Sequence, residues 1–224
     1  AGTSCHSLRT NKDRLVIMSI SGKVSPSNAR GGFSVDYNGK PFFLPGTGGI
    51  CYNVLVGDPA FGLAGDHIEP GVSTRAHDNP YDQPNPAYNF LACIGNIAKV
   101  AGGDAKDKLG VVTGHHGGSE RVMIDFDSET MELITHDDKF MIKSCGQGLE
   151  LLDYPDVRVC NIDPSLFEKL NIIEEEGLLK VGVTHIIPGK IMGSGVGSTS
   201  MGSGDYDIMT QDERIVKENN IDTI

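Results

Sequence analysis

Short runs of β-favouring residues, each ending at a glycine or a polar turn, dominate the middle of the chain. The runs cover residues 110–113, 121–126, 131–135, 139–143 and 156–160. Runs of four to six residues at this spacing are typical of the strands of a barrel. We therefore expect an α+β fold that is β-rich, with a barrel-like core and a few short helices.

One helix is expected among these strands. Asn85 suits an N-cap, and Pro86 suits the first helical position. Apolar residues then recur at helical spacing over residues 87–98. The pattern predicts a helix that continues to Gly102.

The length of the chain allows one domain or two small ones, and we expect one compact domain. With 224 residues it can bury a sizeable core. Residues 1–13 are polar, and we expect them to form a flexible leader. The predicted domain covers residues 14–224.

The composition limits the classes of partner. Glycine contributes 29 residues, which indicates many tight turns. A formal net charge of −11 would repel a phosphate backbone, so nucleic acid is not an expected partner. No apolar run is long enough to cross a bilayer, and a membrane is not expected either. Five cysteines without a CxxC pair suit reduced thiols, which favours a cytoplasmic location.

The densest group of reactive side chains lies in the loop over residues 65–73. Asp66, His67 and Glu69 are held there between glycines and a proline, and each can bind a cation or transfer a proton. His67 and Glu69 lie on the same side if the segment is extended. A turn with solvated carboxylates explains the same residues equally well.

A second candidate site lies at His115 and His116, in a predicted hairpin. Gly117 and Gly118 leave backbone amides unshielded, which suits an oxyanion or phosphate beside an imidazole. Adjacent histidines on a strand point to opposite faces, so we favour His116 as the site residue. A polar hairpin tip is the alternative.

Several segments along the chain carry a resemblance to a known family. They are residues 8–12, 65–73, 117–118, 147–149 with 152–156, and 191–195 with 204–208. Together they resemble the bacterial and archaeal family catalogued as domain of unknown function 4438. The resemblance implies a soluble α/β protein with a barrel-like core, and no reaction comes with it. It also implies that relatives continue into a further C-terminal region after residue 224.

The first functional hypothesis is a metal-assisted hydrolase or lyase that acts on a small polar molecule. Asp66, His67 and His116 would hold a divalent transition metal, either zinc, iron or manganese. The metal would acidify a water molecule, with Glu69 as the base. The candidate catalytic residues are then His67, Glu69 and His116.

The second hypothesis is a non-catalytic module that binds a small molecule or anion and assembles as a homo-oligomer. Glycine-rich loops at residues 45–49 and 193–204 would enclose the ligand, although the first loop lacks the lysine of a P-loop. The candidate ligand-binding residues are Asn53, Gly117, Gly118, Ser194, Asp205 and Asp207.

Overall fold

The structure of the chain is a computed structural model that describes residues 8–27, 33–35, 38–39, 41–43, 48–52, 70–79, 82–116 and 120–183. A 3₁₀ turn covers Lys12–Arg14. The α-helices are α1 (Pro84–Leu91), α2 (Ser128–Leu133) and α3 (Pro164–Lys169). The strands are β1 (Met18–Val24), β2 (Phe33–Val35), β3 (Pro41–Phe43), β4 (Ile50–Cys51), β5 (Gly71–Arg75), β6 (Ile97–Val100), β7 (Leu109–His116), β8 (Arg121–Asp125), β9 (Lys139–Ser144), β10 (Ile173–Glu175) and β11 (Leu178–Lys180).

Six strands form a closed antiparallel barrel. Their order around the ring is β1, β9, β6, β7, β8 and β5, and β5 pairs back with β1. The closing pairs are Lys23 with Arg75 and Val24 with Thr74. Closure satisfies the backbone groups that an open sheet would leave at its edges. The prediction of a β-rich, barrel-like core with a few short helices is confirmed.

The barrel interior follows the two-residue period of its strands. Along β9, exposed and buried residues alternate from Lys139 to Ser144. The buried core consists of Val24, Val72, Tyr88, Ala92, Ala98, Val100, Ala105, Val112, Val122, Ile124, Phe126, Met131, Ile134, Phe140 and Ile142. Burial of each large side chain contributes about 1.5–3 kcal/mol. Since α1 supplies Tyr88 and α2 supplies Met131, both helices help to fill the same core.

A smaller apolar cluster lies outside this core and includes the start of the described chain. Its buried members are Leu149, Leu151 and Phe167. Asn11 Nδ2 donates to the carbonyl of Gly148, and the Glu150 amide donates back to Asn11 Oδ1, each at 2.9 Å. Residues 8–13 of the predicted flexible leader are thus connected to a distant loop, because Asn11 pairs with the backbone of that loop, and residues 1–7 lie outside the described part of the chain.

The predicted helix, from the N-cap Asn85 to Gly102, is too long. Helix α1 begins at Pro84 and ends at Leu91, and residues 97–100 form β6. The chain reverses at Gly95, which has a φ of 92°, and Asn96 Oδ1 accepts the Cys93 amide. The last two positions of the apolar pattern, Ile97 and Ala98, belong to β6, where Ile97 is exposed and Ala98 is buried, so the apolar pattern alone did not locate this break.

Two further elements differ from their predictions. The predicted strand over residues 131–135 overlaps α2, because the Asp127 carboxylate accepts the Thr130 amide and caps a helix there. The predicted strand over residues 156–160 contains only an isolated bridge between Glu150 and Arg158. In the described ranges, no helix has the length and apolar character needed to cross a membrane.

Candidate functional site

Four basic residues occupy one row across neighbouring strands of the barrel. Lys23 of β1 pairs with Arg75 of β5. The register of β5 with β8, continued to the ends of both strands, sets Arg75 opposite Arg121. On the other side of β8, Arg121 pairs with His116 of β7. We call Lys23, Arg75, Arg121 and His116 the basic row.

Arg75 and Arg121 of the basic row belong to the outer face of the barrel wall. Thr74 and Val122, which precede and follow the two arginines, pair with each other, and Val122 is in the core. Side chains alternate between the two faces of a strand, so Arg75 and Arg121 start from the outer face. Both are nevertheless almost fully covered, with exposures of 4% for Arg75 and 1% for Arg121. Such burial is rare for arginine and requires a specific cover.

Part of that cover comes from the segments around Ser25 and Gly48. Three backbone hydrogen bonds connect Ser25, Gly49 and Ser73, so the cover is fixed to β5. Ser25 Oγ accepts a hydrogen bond from Arg121 Nε at 2.9 Å. A Cβ atom on Gly48 would lie 3.2 Å from Arg121 Cζ and 2.6 Å from the Pro26 carbonyl oxygen. Glycine is needed here because its φ is 86° and the backbone passes directly over the guanidinium.

Arg75 carries a positive charge in surroundings that do not favour it. Its Nε is buried without a hydrogen-bond partner among the residues that the structure describes. Burial lowers the pKa of Arg75, and the neighbouring charge of Arg121 lowers it further, while Asp78 acts in the opposite direction. Asp78 is already engaged, since Lys23 Nζ lies 2.6 Å from its Oδ2. A negatively charged group beside Arg75 would therefore be stabilised.

The chemistry of the two arginines suits an oxyanion. A guanidinium presents its N–H groups in a planar fork that matches the oxygens of a carboxylate or a phosphate. Partial exclusion of water strengthens such an interaction, because the local dielectric constant is lower than that of bulk water. The two arginines can thus hold an anion that reaches their guanidinium groups.

His115 has a structural position rather than a place in the row. It pairs with Val122, is buried, and its Nε2 is in hydrogen-bonding contact with the carbonyl of Ala92. Burial lowers the pKa of the His115 imidazole, so the neutral ring is favoured. The register pairs His116 with Arg121 of β8. The side-chain role of His116 remains a prediction.

Most of the predicted site residues lie outside the described part of the chain. These residues are Asn53, Asp66, His67, Glu69, Gly117, Gly118, Ser194, Asp205 and Asp207. The meeting of the loop at residues 65–73 with His116 therefore stays a prediction, as does the metal. Within the ranges given above, no group of three or more histidine, cysteine, aspartate or glutamate residues is arranged to hold a metal ion.

The two arginines were not identified from the sequence. Each stands at the end of a β-favouring run, where an exposed charged residue is ordinary. The sequence feature that pointed towards this site is the glycine-rich loop at residues 45–49, which we expected to enclose a ligand. Gly48 and Gly49 belong to that loop and precede β4. Only the pairing of the two strands β5 and β8 brings Arg75 and Arg121 together.

Comparisons with known proteins agree with the barrel. A family model described as "Domain of unknown function (DUF4438), N-terminal" matches residues 33–168, and one described as "Domain of unknown function (DUF4438), C-terminal" matches residues 169–224. A solved structure titled "Crystal structure of TM1086" is similar to this chain, with a TM-score of 0.83 and 46% sequence identity. The similarity covers 97% of this chain and 75% of the other. No curated protein matches the sequence.

Proposed function

The chain belongs to the DUF4438 family, and on this premise we propose that it is a non-catalytic module that binds a small oxyanion at the basic row. The family description brings no reaction with it, so the proposal depends on the chemistry of the site. The observation that carries it is Arg75, a covered guanidinium that faces a second arginine and whose Nε has no hydrogen-bond partner in the described ranges.

The energetic reason is the cost of covering a positive charge. A buried charge is costly unless it is paired and hydrogen-bonded. An oxyanion that accepts two hydrogen bonds from the guanidinium gains about 1.5–3 kcal/mol for each. After the cost of immobilising a small ligand, a dissociation constant on the order of 1 mM is expected for inorganic phosphate. A larger ligand with further contacts would bind more tightly.

Two groups near the basic row are already engaged, which favours binding over catalysis, while His116 belongs to the row itself and its side-chain role stays a prediction. Asp78 is held by Lys23, and His115 is buried in contact with the Ala92 carbonyl. Neither is available as a general base for a molecule at Arg75. The hydrolase or lyase hypothesis depends on Asp66, His67 and Glu69, which the described ranges do not include.

Thermal unfolding in the presence of simple anions tests the proposal. Phosphate, sulfate, malonate, acetate and chloride would be compared at constant ionic strength, with the wild-type chain and Arg75→Met. Arg158→Met is the matched control, because Arg158 is exposed and the substitution removes the same charge. An oxyanion at about twenty times its dissociation constant stabilises the folded state by about 1.8 kcal/mol.

We expect the oxyanions to raise the melting temperature of the wild type and of Arg158→Met, and to leave Arg75→Met unchanged. Chloride should have little effect on any of them. Equal responses from all three proteins would show that the anions act on the surface in general. No response in the wild type, at concentrations up to 50-fold above the ~1 mM expected here, would refute the proposal.

A further inference from the structure

Two cysteines from different elements meet at one side-chain amide. Cys93 follows α1, and Cys145 follows β9. Asn96 Oδ1 accepts the amide of Cys93 at 2.8 Å and that of Cys145 at 3.3 Å. A shared acceptor atom keeps the two amide nitrogens within about 6 Å of each other, a separation compatible with the Cα spacing of a disulfide.

The Cys93 sulfur lies against the chain beside Cys145. A Cβ atom built on Gly146 would be only 2.9 Å from Cys93 Sγ, so glycine at this position leaves room for the sulfur. Each cysteine is free, Cys93 is buried, and Cys145 is partly exposed. The pKa of the Cys93 thiol is raised to about 12, mainly by burial and further by Cys145, which is close enough to act on it electrostatically.

We propose that Cys93 and Cys145 form a reversible disulfide when the protein meets a low-molecular-weight disulfide such as oxidised glutathione. The more accessible Cys145 thiolate attacks one sulfur of the reagent, and a glutathione thiolate leaves. The Cys93 thiolate then attacks the Cys145 sulfur of the mixed disulfide, and the second glutathione thiolate leaves. The two protons of the protein thiols end on the released glutathione. The protein loses two electrons and the reagent gains them.

The disulfide would strengthen the connection between the barrel and the smaller apolar cluster. Next to Cys93, the Ile94 amide donates to the Asn161 carbonyl, and the Asp163 amide donates back to the Ile94 carbonyl, each at 2.8 Å. At Cys145, the backbone carbonyl accepts a hydrogen bond from Asn96 Nδ2 at 2.7 Å. Closing a loop of about 50 residues in the unfolded chain should raise the melting temperature by about 5–15 °C.

Peptide mapping of the full chain tests the inference. The folded protein would be incubated at pH 8.5 with oxidised glutathione, or with reduced glutathione as the control, alkylated, and digested with trypsin. The sequence isolates the relevant cysteines on separate tryptic peptides: residues 76–99 carry Cys93, residues 144–158 carry Cys145, and residues 159–169 carry Cys160. Cys160 is exposed and reports that the reagent has acted.

We expect a covalently linked pair of peptides, 76–99 with 144–158, that reductant separates. Cys145→Ser should abolish both the link and the rise in melting temperature, whereas Cys160→Ser should keep both. Separate alkylated peptides, recovered after Cys160 has formed its mixed disulfide, would overturn the inference. A link that forms only in urea would overturn it as well, because the folded structure would then hold the two sulfurs apart.

Discussion

Replacing Arg75 with methionine should stabilise the protein in buffer that contains no oxyanion. Residues directly opposite each other on antiparallel strands have Cβ atoms about 5 Å apart, and Arg75 lies opposite Arg121 in this way. The charge of Arg121 is close enough to lower the pKa of Arg75, and two unit charges about 5–8 Å apart repel each other by about 2–3 kcal/mol if the effective dielectric constant is 20. Methionine keeps much of the apolar stem of arginine and removes the charge.

The expected gain in the free energy of unfolding is about 1–3 kcal/mol, because part of the repulsion is screened by salt. For a chain of this size, this corresponds to roughly 2–12 °C in melting temperature. Urea unfolding, followed by circular dichroism in chloride buffer, measures the change directly. Arg158→Met should stay within about 0.5 kcal/mol of the wild type, since Arg158 is an exposed surface residue.

A loss of stability in Arg75→Met, instead of a gain, would refute the electrostatic argument. If Arg75→Met loses more than about 1 kcal/mol in the absence of oxyanions, Arg75 must be neutralised by a group of the protein itself. The basic row would then be an internal ion-pair site, and the proposed ligand would have no place there. A gain in stability together with loss of the anion response would support both the electrostatic argument and the proposed function.

Four other perturbations test separate parts of the structure. Gly48→Ala should cost about 1–3 kcal/mol in urea unfolding, because the new Cβ meets the Pro26 carbonyl at a positive φ, whereas Gly102→Ala meets no atom within 4 Å and should be nearly neutral. Asn96→Leu should cost about 2–4 kcal/mol by the same measurement, since the Cys93 and Cys145 amides lose their acceptor. Asp127→Ala should be less stable than the wild type at pH 7, and the difference should disappear as the pH falls below about 4. The reason is that the Thr130 amide lowers the pKa of Asp127 in the folded state. The stabilisation by the Asp127 carboxylate is therefore complete above the unfolded-state pKa, and it is lost as the carboxylate is protonated in the folded state. Elemental analysis of the wild type beside His67→Ala and His116→Ala tests the predicted metal site; a stoichiometric metal lost in both variants would support it, and equal metal contents in all three would count against it.

The barrel could be predicted from the sequence because its strands are short and separated by clear turns. Residues 110–113, 121–126 and 139–143 fall within or nearly match β7, β8 and β9. Asn38-Gly39, a dipeptide typical of hairpin turns, also lies between the paired strands β2 and β3. These local signals identify strands one at a time. The ring itself depends on which distant strands pair, and a strand pattern alone does not contain that information.

The failures arose where one side-chain hydrogen bond decided the local structure. Asp127 converts a run rich in β-compatible residues into α2, and Asn96 stops the chain from continuing α1. Short polar residues are common in loops as well, so neither could be given this role in advance. The family was identified correctly from the sequence, because its motifs are spread along most of the chain.

The candidate site was harder to predict than the fold. Reactive residue types drew attention to Asp66, His67 and Glu69, whereas the arginines that the structure brings together stand at the ends of ordinary strands. Arg75 is unusual because its side chain is buried and because the positive charge of Arg121 lies opposite it. Both are properties of the folded chain and depend on pairing between segments that are distant in sequence.

The closure of the ring also affects how the protein is made. Strand β1 pairs with β9, so Met18 must pair with Ser144, about 125 residues later in the chain. Until the ribosome has released β9, β1 lacks one of its two neighbours and its edge is open to other chains. Contacts between such distant residues slow folding, since a long loop must close before they stabilise anything. Substitutions that weaken the β1–β9 pairing should therefore reduce the yield of folded protein during synthesis more than they reduce the stability of the finished barrel.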